Sequence, residues 1–446
     1  MQDVMSGKDL SDIDFASAVD LDVVMAGLKE LPKGKRSVHV FKRILYNYTT
    51  SQFLSWSSDR ERGILAFVDL LDKEPDGDVH AAYVCSYVKA FSDAVRVIGG
   101  WEKGRQLCLY ACPDPDRAAE AAAQVNGGEG VPREIVRGHV ASLFDRELAY
   151  KYYSAAKVQS DVVKQFYIDQ GINTYFSSIE PLPRLAGKPE YQFSHSSSAR
   201  LSVVLSMDAG FCSAYLPLVI HYVRHLPEFH YHFVFVGDGR EVSACEEMLQ
   251  ALLVAQEKCA GRKIDNFSYS RMSVPASVKD KITLYACARY FAAADLLGRF
   301  EGVYIMDVDI QLTADPTSYF SSFWDYDVCL PETLGLGQLM PWRRFMAGNV
   351  FVRDSLVGRA FLHTVCDYMR AGLLCSGSWT LDQNALCYAM EVMDVKVFNL
   401  NTRGRPISQH KINKLFETGV SRWWVKDAAP SGKLSKYLSG LRRFMR

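Results

Sequence analysis

The sequence has no net charge, no long apolar run and no paired cysteine spacing, and each absence removes a class of function. Lysine plus arginine equal aspartate plus glutamate at 51 each. No overall field therefore draws the chain to nucleic acid; a general DNA coat or RNA chaperone is excluded, and only a local basic patch is left open. No stretch approaches the ~18 consecutive apolar residues of a membrane span. The opening residues, MQDVMSGKDLSDID, are polar and acidic, the reverse of a signal peptide. The 11 cysteines are odd in number and include no CxxC. Most lie in apolar runs, where a reduced thiol behaves as a small hydrophobe. No self-similar period is present, which sets aside a helical repeat array. Together these features predict a soluble, cytoplasmic protein.

What is present is an ordinary globular composition, 48% apolar and 23% charged over 446 residues, enough for two or three domains. Residues 1–185 read as an all-helical accessory domain. Segments such as 80–98 and 147–170 place apolar groups three and four apart, and no motif there carries chemistry. This region is the candidate surface for homo-oligomer formation. A polar stretch, AGKPEYQFSHSSSAR (186–200), reads as a linker.

Beyond the linker the pattern changes. LSVVLSMD (201–208), HFVFVGDG (232–239) and GVYIMDVDI (302–310) are short apolar runs ending at polar residues, with helical segments between them. Strand alternating with helix implies an α/β class with a parallel sheet. Ligands of such sheets bind beyond the carboxyl ends of the strands, which here carry Asp208, Gly237-Asp238 and Asp307-Val308-Asp309.

Asp307 and Asp309 are two apart, so on an extended segment both carboxylates leave the same side. Two adjacent anions repel unless a cation sits with them, and hard carboxylate oxygens suit Mg²⁺ or Mn²⁺. The alternative is a solvated pair that merely ends a strand.

IMDVDIQLTADP, preceded by the helix TLYACARYFAAADLL, resembles the nucleotide-sugar glycosyltransferases of the GT-A fold. Within them it is most similar to family 8, the retaining galactosyl- and glucosyltransferase group. The resemblance covers roughly residues 200–415 and includes an arginine-bearing helix (Arg289), the Asp-x-Asp pair, FMAGNVF with Gly348, WTLDQNAL with Asp382 and Gln383, and ISQHKINK with His410. It implies a Rossmann-like GT-A mixed sheet flanked by helices over residues 201–420.

The resemblance also implies roles. Asp307, Asp309 and His410 would hold Mn²⁺ or Mg²⁺, the imidazole favouring Mn²⁺. Asp208 would meet the nucleobase or ribose, and Phe211 stands where a base-stacking tyrosine is common. Arg289 would reach the diphosphate or donor sugar, with Lys411 and Lys414 as further phosphate contacts. Asp382 would bind a sugar hydroxyl and Gln383 would lie under the anomeric carbon, with a front-face retaining mechanism. Two positions depart from the family pattern. Met346 replaces a sugar-contacting asparagine, with Asn349 three residues later, and KINKLFETG replaces the usual glycine and Lys-Pro-Trp after the late histidine.

Plainer roles stand beside these. Asp208 is placed to cap the following helix, and Arg289 to pair with Asp295 or another carboxylate. Thr380-x-x-Gln383 has the form of a capping box, and His410 that of an exposed loop histidine. His221, His225, His230 and His232 have the look of a zinc cluster but lack the glutamate of HExxH.

The tail, 421–446, carries seven basic residues and one acid with apolar residues at helical spacing. It reads as an interfacial helix for anionic lipid at the inner face of a membrane, or as a segment that docks on the catalytic domain or stays disordered. The expected activity is transfer of a hexose from a nucleotide sugar, UDP-linked first, to a glycan, lipid-linked or protein acceptor. The alternatives are a haloacid-dehalogenase-like phosphatase, a catalytically inactive GT-A-like scaffold and a nucleotidyltransferase.

Overall fold

The structure, a computed structural model, describes residues 133–142, 145–156, 167–185, 190–193, 198–312, 320–321, 323–331, 340–375, 378–400 and 416–417. The expected domain before residue 133, the loop with His410, Lys411 and Lys414, and the basic tail lie outside the described residues.

The strands are β1 (Glu190–Phe193), β2 (Leu201–Met207), β3 (His230–Gly237), β4 (Phe267–Ser273), β5 (Gly302–Met306), β6 (Gln311–Leu312), β7 (Val328–Leu330), β8 (Asn349–Arg353), β9 (Val397–Asn399) and β10 (Phe416–Glu417). The helices are α1 (Arg133–Ala141), α2 (Arg146–Ala156), α3 (Ile168–Asn173), α4 (Ala209–His225), α5 (Gly239–Ala260), α6 (Lys281–Leu296), α7 (Pro341–Arg344), α8 (Leu356–Cys375) and α9 (Leu381–Val392).

Eight strands form one mixed sheet in the order β1-β4-β3-β2-β5-β8-β7-β9. Strands β4, β3, β2 and β5 are parallel; β8 runs antiparallel to both β5 and β7, and β9 is parallel to β7. This is the α/β class that alternating apolar runs and helices predict. The segment read as a linker is not wholly one, because Glu190–Phe193 adds an antiparallel edge strand to β4. The alternating Tyr191 and Phe193 supply the period-two pattern that its polar neighbours mask.

Every residue of β2 and β3 is buried, as a strand covered on both faces requires. Successive side chains alternate between two cores. Val203, Leu205 and Phe233 face α4 and α5, whereas Val204, Val234, Val303 and Ile305 face α6, α8 and α9. Helices α4, α5 and α6 begin at acidic caps. Asp208 accepts from the Phe211 amide, Asp238 forms a capping box with Glu241, and Asp280 accepts from the Ile282 amide.

The chain winds outward through β2, β3 and β4, then crosses back over α6 to place β5 on the other side of β2. Strand order reverses at β2–β5, so the crevice of this sheet opens beyond the carboxyl ends of those two strands.

The helices before the sheet are not a detached unit. Trp342 of α7 packs edge-on to Tyr153 of α2 at 5.3 Å, and Gly171 of α3 lies so close to its indole that a Cβ there would sit 2.1 Å away. Asn384 donates to the Gly171 carbonyl at 2.8 Å and to Thr174 Oγ1 at 3.0 Å, and Arg146 pairs with buried Glu391. The described helices α2 and α3 thus pack against the α/β body. Among the described residues no helix is long and apolar enough to cross a membrane.

Candidate active site

The site is built from the chain turns that end β2 and β5, from the exposed side of α6 and from the start of α9. A cavity of about 230 Å³ lies at the β2–β5 reversal. Asp208 and Phe211 form one wall, Ile282, Tyr285 and Arg289 of α6 the second, and Asp307 and Asp309 the third. This volume accepts a fragment of a typical small-molecule ligand, whose remainder would extend over the rim. Ser206 Oγ donates to the Tyr285 carbonyl at 2.5 Å, tying α6 to the end of β2.

Arg289 is the centre of the arrangement. Its guanidinium is 7% exposed and joins two carboxylates, Asp307 Oδ1 at 2.6 Å and Asp382 Oδ2 at 3.1 Å. Burial works against its charge, but the two carboxylates hold the pKa above the ordinary arginine value. Its Nε–H finds no acceptor among the described residues, so one donor of a cavity-lining cation is unspent. Pairing with Asp295 does not occur; that carboxylate accepts from the Tyr191 hydroxyl instead.

Asp307 and Asp309 do reach one cavity, but not as extended-strand neighbours. Strand β5 stops at Met306, and the Ile310 amide donates to the Asp307 carbonyl at 3.1 Å, closing a turn. Val308 is buried within that turn. Asp307 is 39% exposed on its side chain although its Oδ1 is held by Arg289. The antiparallel return of β8 brings Gly348 against it: the Asp307 amide donates to the Gly348 carbonyl at 3.0 Å. A Cβ at Gly348 would stand 1.9 Å from Asp307 Oδ2, so this close approach requires glycine.

Asp382 stands behind Arg289 rather than among the residues lining the cavity. Its Oδ1 accepts from the Gln383 amide at 2.9 Å. Burial raises its pKa to about 6 against the opposing pull of Arg289, with Asp307 adding to the rise. Gln383 is half-buried at the start of α9. The capping box expected from Thr380 and Gln383 is not formed: Thr380 makes no side-chain cap bond, and its hydroxyl pairs with Ser378 Oγ at 2.8 Å. Asn349 faces inward, accepting from the Tyr304 hydroxyl at 2.7 Å, so it does not stand in for the displaced asparagine at Met346.

Asp208 caps α4 through one oxygen and lines the cavity, so the two roles weighed for it coexist. Phe211 keeps a half-buried ring in the wall. The four histidines do not form one site. His230 Nδ1 bonds Ser202 Oγ at 2.8 Å, and His232 bonds Ser268 at 2.7 Å and Ser270 at 3.0 Å. The rings of His221 and His225 lie 4.3 Å apart along α4, tilted by 45°.

Among the described residues no three His, Cys, Asp or Glu side chains converge as a complete metal site. The carboxylate oxygens on the cavity wall are hard donors, but they do not converge on one point. Three carboxylates, Asp208, Asp307 and Asp309, line it, while Arg289 is the one cation among the described lining residues and is already matched by two carboxylates. The described lining thus carries more negative than positive charge. The Tyr290 hydroxyl donates to the Ala347 carbonyl at 2.7 Å, a contact that sequence does not reveal, since an aromatic in a helix reads there only as core. In comparisons with known proteins, the chain matches no family model, no curated sequence and no solved structure.

Proposed function

We propose that this protein is a metal-dependent glycosyltransferase of the Rossmann-like GT-A type, moving a hexose from a nucleotide sugar, UDP-linked first, to a glycan, lipid-linked or protein acceptor. The carrying observation is the acidic cavity at the β2–β5 reversal, where Asp307 and Asp309 share the lining with an arginine already matched by Asp307 and Asp382. A cavity of that charge takes a nucleoside diphosphate only together with a divalent cation, and the two aspartates are hard donors for one. When bound, Mn²⁺ or Mg²⁺ supplies Lewis-acid stabilisation of the departing diphosphate.

The remaining steps fall to the chain's own groups. Arg289 fixes Asp307 through Oδ1, leaving Oδ2 on the Gly348 side. Phe211 and Ile282 give the cavity apolar walls suited to the flat face of a base, and the part of Asp208 not used in capping is a hydrogen-bond acceptor beside it. Asp382, held by Arg289 and by the Gln383 amide, sets the start of α9 and with it the Gln383 side chain. An amide is a poor nucleophile, so the reading favours front-face transfer with retention, in which the leaving phosphate oxygen takes the acceptor's proton. His410, Lys411 and Lys414 are the expected completion of the cation and phosphate contacts.

The test is thermal unfolding with excess UDP, with and without Mn²⁺, on wild type and Asp309→Asn. Ligand at ~100 times its dissociation constant adds about 2.7 kcal/mol of stability. The expected result is a shift that needs both UDP and metal and is absent in the variant. Equal shifts without metal, or none with any nucleoside diphosphate, would overturn the reading. Phosphate release from p-nitrophenyl phosphate would instead identify a phosphatase.

A further inference from the structure

Two neighbouring side chains of α6 converge on one carbonyl oxygen behind Asp307. The Tyr290 hydroxyl donates to the Ala347 carbonyl at 2.7 Å, and Arg289 Nη2 stands 3.5 Å from the same oxygen. The Arg289 guanidinium also lies over the Tyr290 ring, 5.5 Å from its centroid. Tyr290 is fully buried in the core that faces α6, α8 and α9. A phenylalanine would fill the same space, and a hydroxyl taken out of water costs free energy unless it is bonded. The bond to Ala347 is what tyrosine adds at this position.

That bond bears on the carboxylate of Asp307. The Ala347 carbonyl is spent on Tyr290, and the next one, of Gly348, accepts from the Asp307 amide at 3.0 Å. The two rigid peptide planes that flank the Gly348 Cα are thus both held, and only its two backbone dihedrals lie between them. Where that Cα stands decides what Asp307 Oδ2 meets, since a Cβ on Gly348 would lie 1.9 Å from it. The other oxygen, Oδ1, is held by Arg289 at 2.6 Å. One oxygen is therefore set by a cation resting on the Tyr290 ring. The other faces backbone that the Tyr290 hydroxyl anchors.

We propose that Tyr290 is a positioning residue of the candidate donor site, fixing the Asp307 carboxylate through Arg289 and through the Ala347–Gly348 peptide; its effect on donor binding rests on the glycosyltransferase reading. It touches neither the cavity nor a ligand there. Its hydroxyl can only donate to Ala347, because a carbonyl oxygen has no proton to give.

The test compares two variants of the full chain. Tyr290→Phe keeps the ring under Arg289 and removes the hydroxyl. Tyr304→Phe is the matched control. Its hydroxyl is equally buried, donates to Asn349 Oδ1 at 2.7 Å on the same returning segment, and belongs to the core on the other face of the sheet. Hydrogen exchange without ligand, followed at the Asp307 amide, should be about tenfold faster in Tyr290→Phe than in Tyr304→Phe. UDP affinity with Mn²⁺, measured by calorimetry well below either unfolding midpoint, should fall about tenfold in Tyr290→Phe and hold in Tyr304→Phe. Equal losses of affinity in both variants would mark a general packing role and overturn the inference. So would unchanged exchange at Asp307 in Tyr290→Phe. If wild type takes up no UDP with Mn²⁺, the donor reading fails by itself, and exchange at Asp307 still decides whether Tyr290 sets that residue.

Discussion

Gly348 shows how one missing methyl group sets the site. Its hydrogen leaves room for Asp307, whose Oδ2 would be 1.9 Å from any Cβ, and the obstacle is a carboxylate already held by Arg289. Gly348→Ala is therefore expected to push Asp307 off its partner. Overpacking of this kind costs about 1–3 kcal/mol, measurable by urea unfolding, and the UDP–Mn²⁺ shift should be lost. A variant of wild-type stability that still binds would show that Asp307 moves freely. The Asp-x-Asp pair and Gly348 were both legible in the sequence. What sequence spacing could not show was that the aspartates sit in a turn after β5, since strand ends are set by pairing with β8.

At the scale of elements, α9 is the part whose placement matters most and whose neighbours were least legible. The alternation of strand and helix from Leu201 to Met306 makes the parallel half legible, because β2, β3 and β5 are buried along their whole length and leave apolar runs, whereas β4 is only partly buried. The helices before the sheet gave no such sign, since contacts between elements far apart in sequence leave no local period. Glu391 of α9 faces Arg146 of α2 and Arg344 of α7, with Arg146 also lying over Tyr175 and Tyr388 at 4.7 and 5.0 Å. Removing one partner of a buried ion pair leaves a charge without compensation and costs about 3–5 kcal/mol. Glu391→Gln should lower the unfolding free energy by that order while sparing the cavity residues. An unchanged midpoint in denaturant would mean that the early helices do not brace α9.

For the molecule as a whole, the sheet interior carries an acid sensitivity unrelated to the cavity. His230 and His232 are buried neutral, and burial drives both pKa values down, that of His230 to about 3. A depressed histidine stabilises the fold above its unfolded pKa near 6.5. That stability is lost as pH falls, because the unfolded chain takes up the proton first. Each histidine should contribute a decline of about 1.4 kcal/mol per pH unit below roughly 6.5. Urea unfolding of wild type and His230→Asn between pH 7 and 4 checks this; the variant should show the shallower slope, and parallel curves would refute it.

The link from Arg289 to Asp382 has a consequence for how the protein comes into being. The second carboxylate lies 93 residues beyond the arginine it matches. At ribosomal rates of about 5–20 residues per second, that is an interval of roughly 5–20 s. Throughout it, the emerging parallel strands hold a guanidinium with only half of its mature compensation. Chains interrupted before α9 lack that second carboxylate altogether and are expected to be less stable than complete ones for want of it.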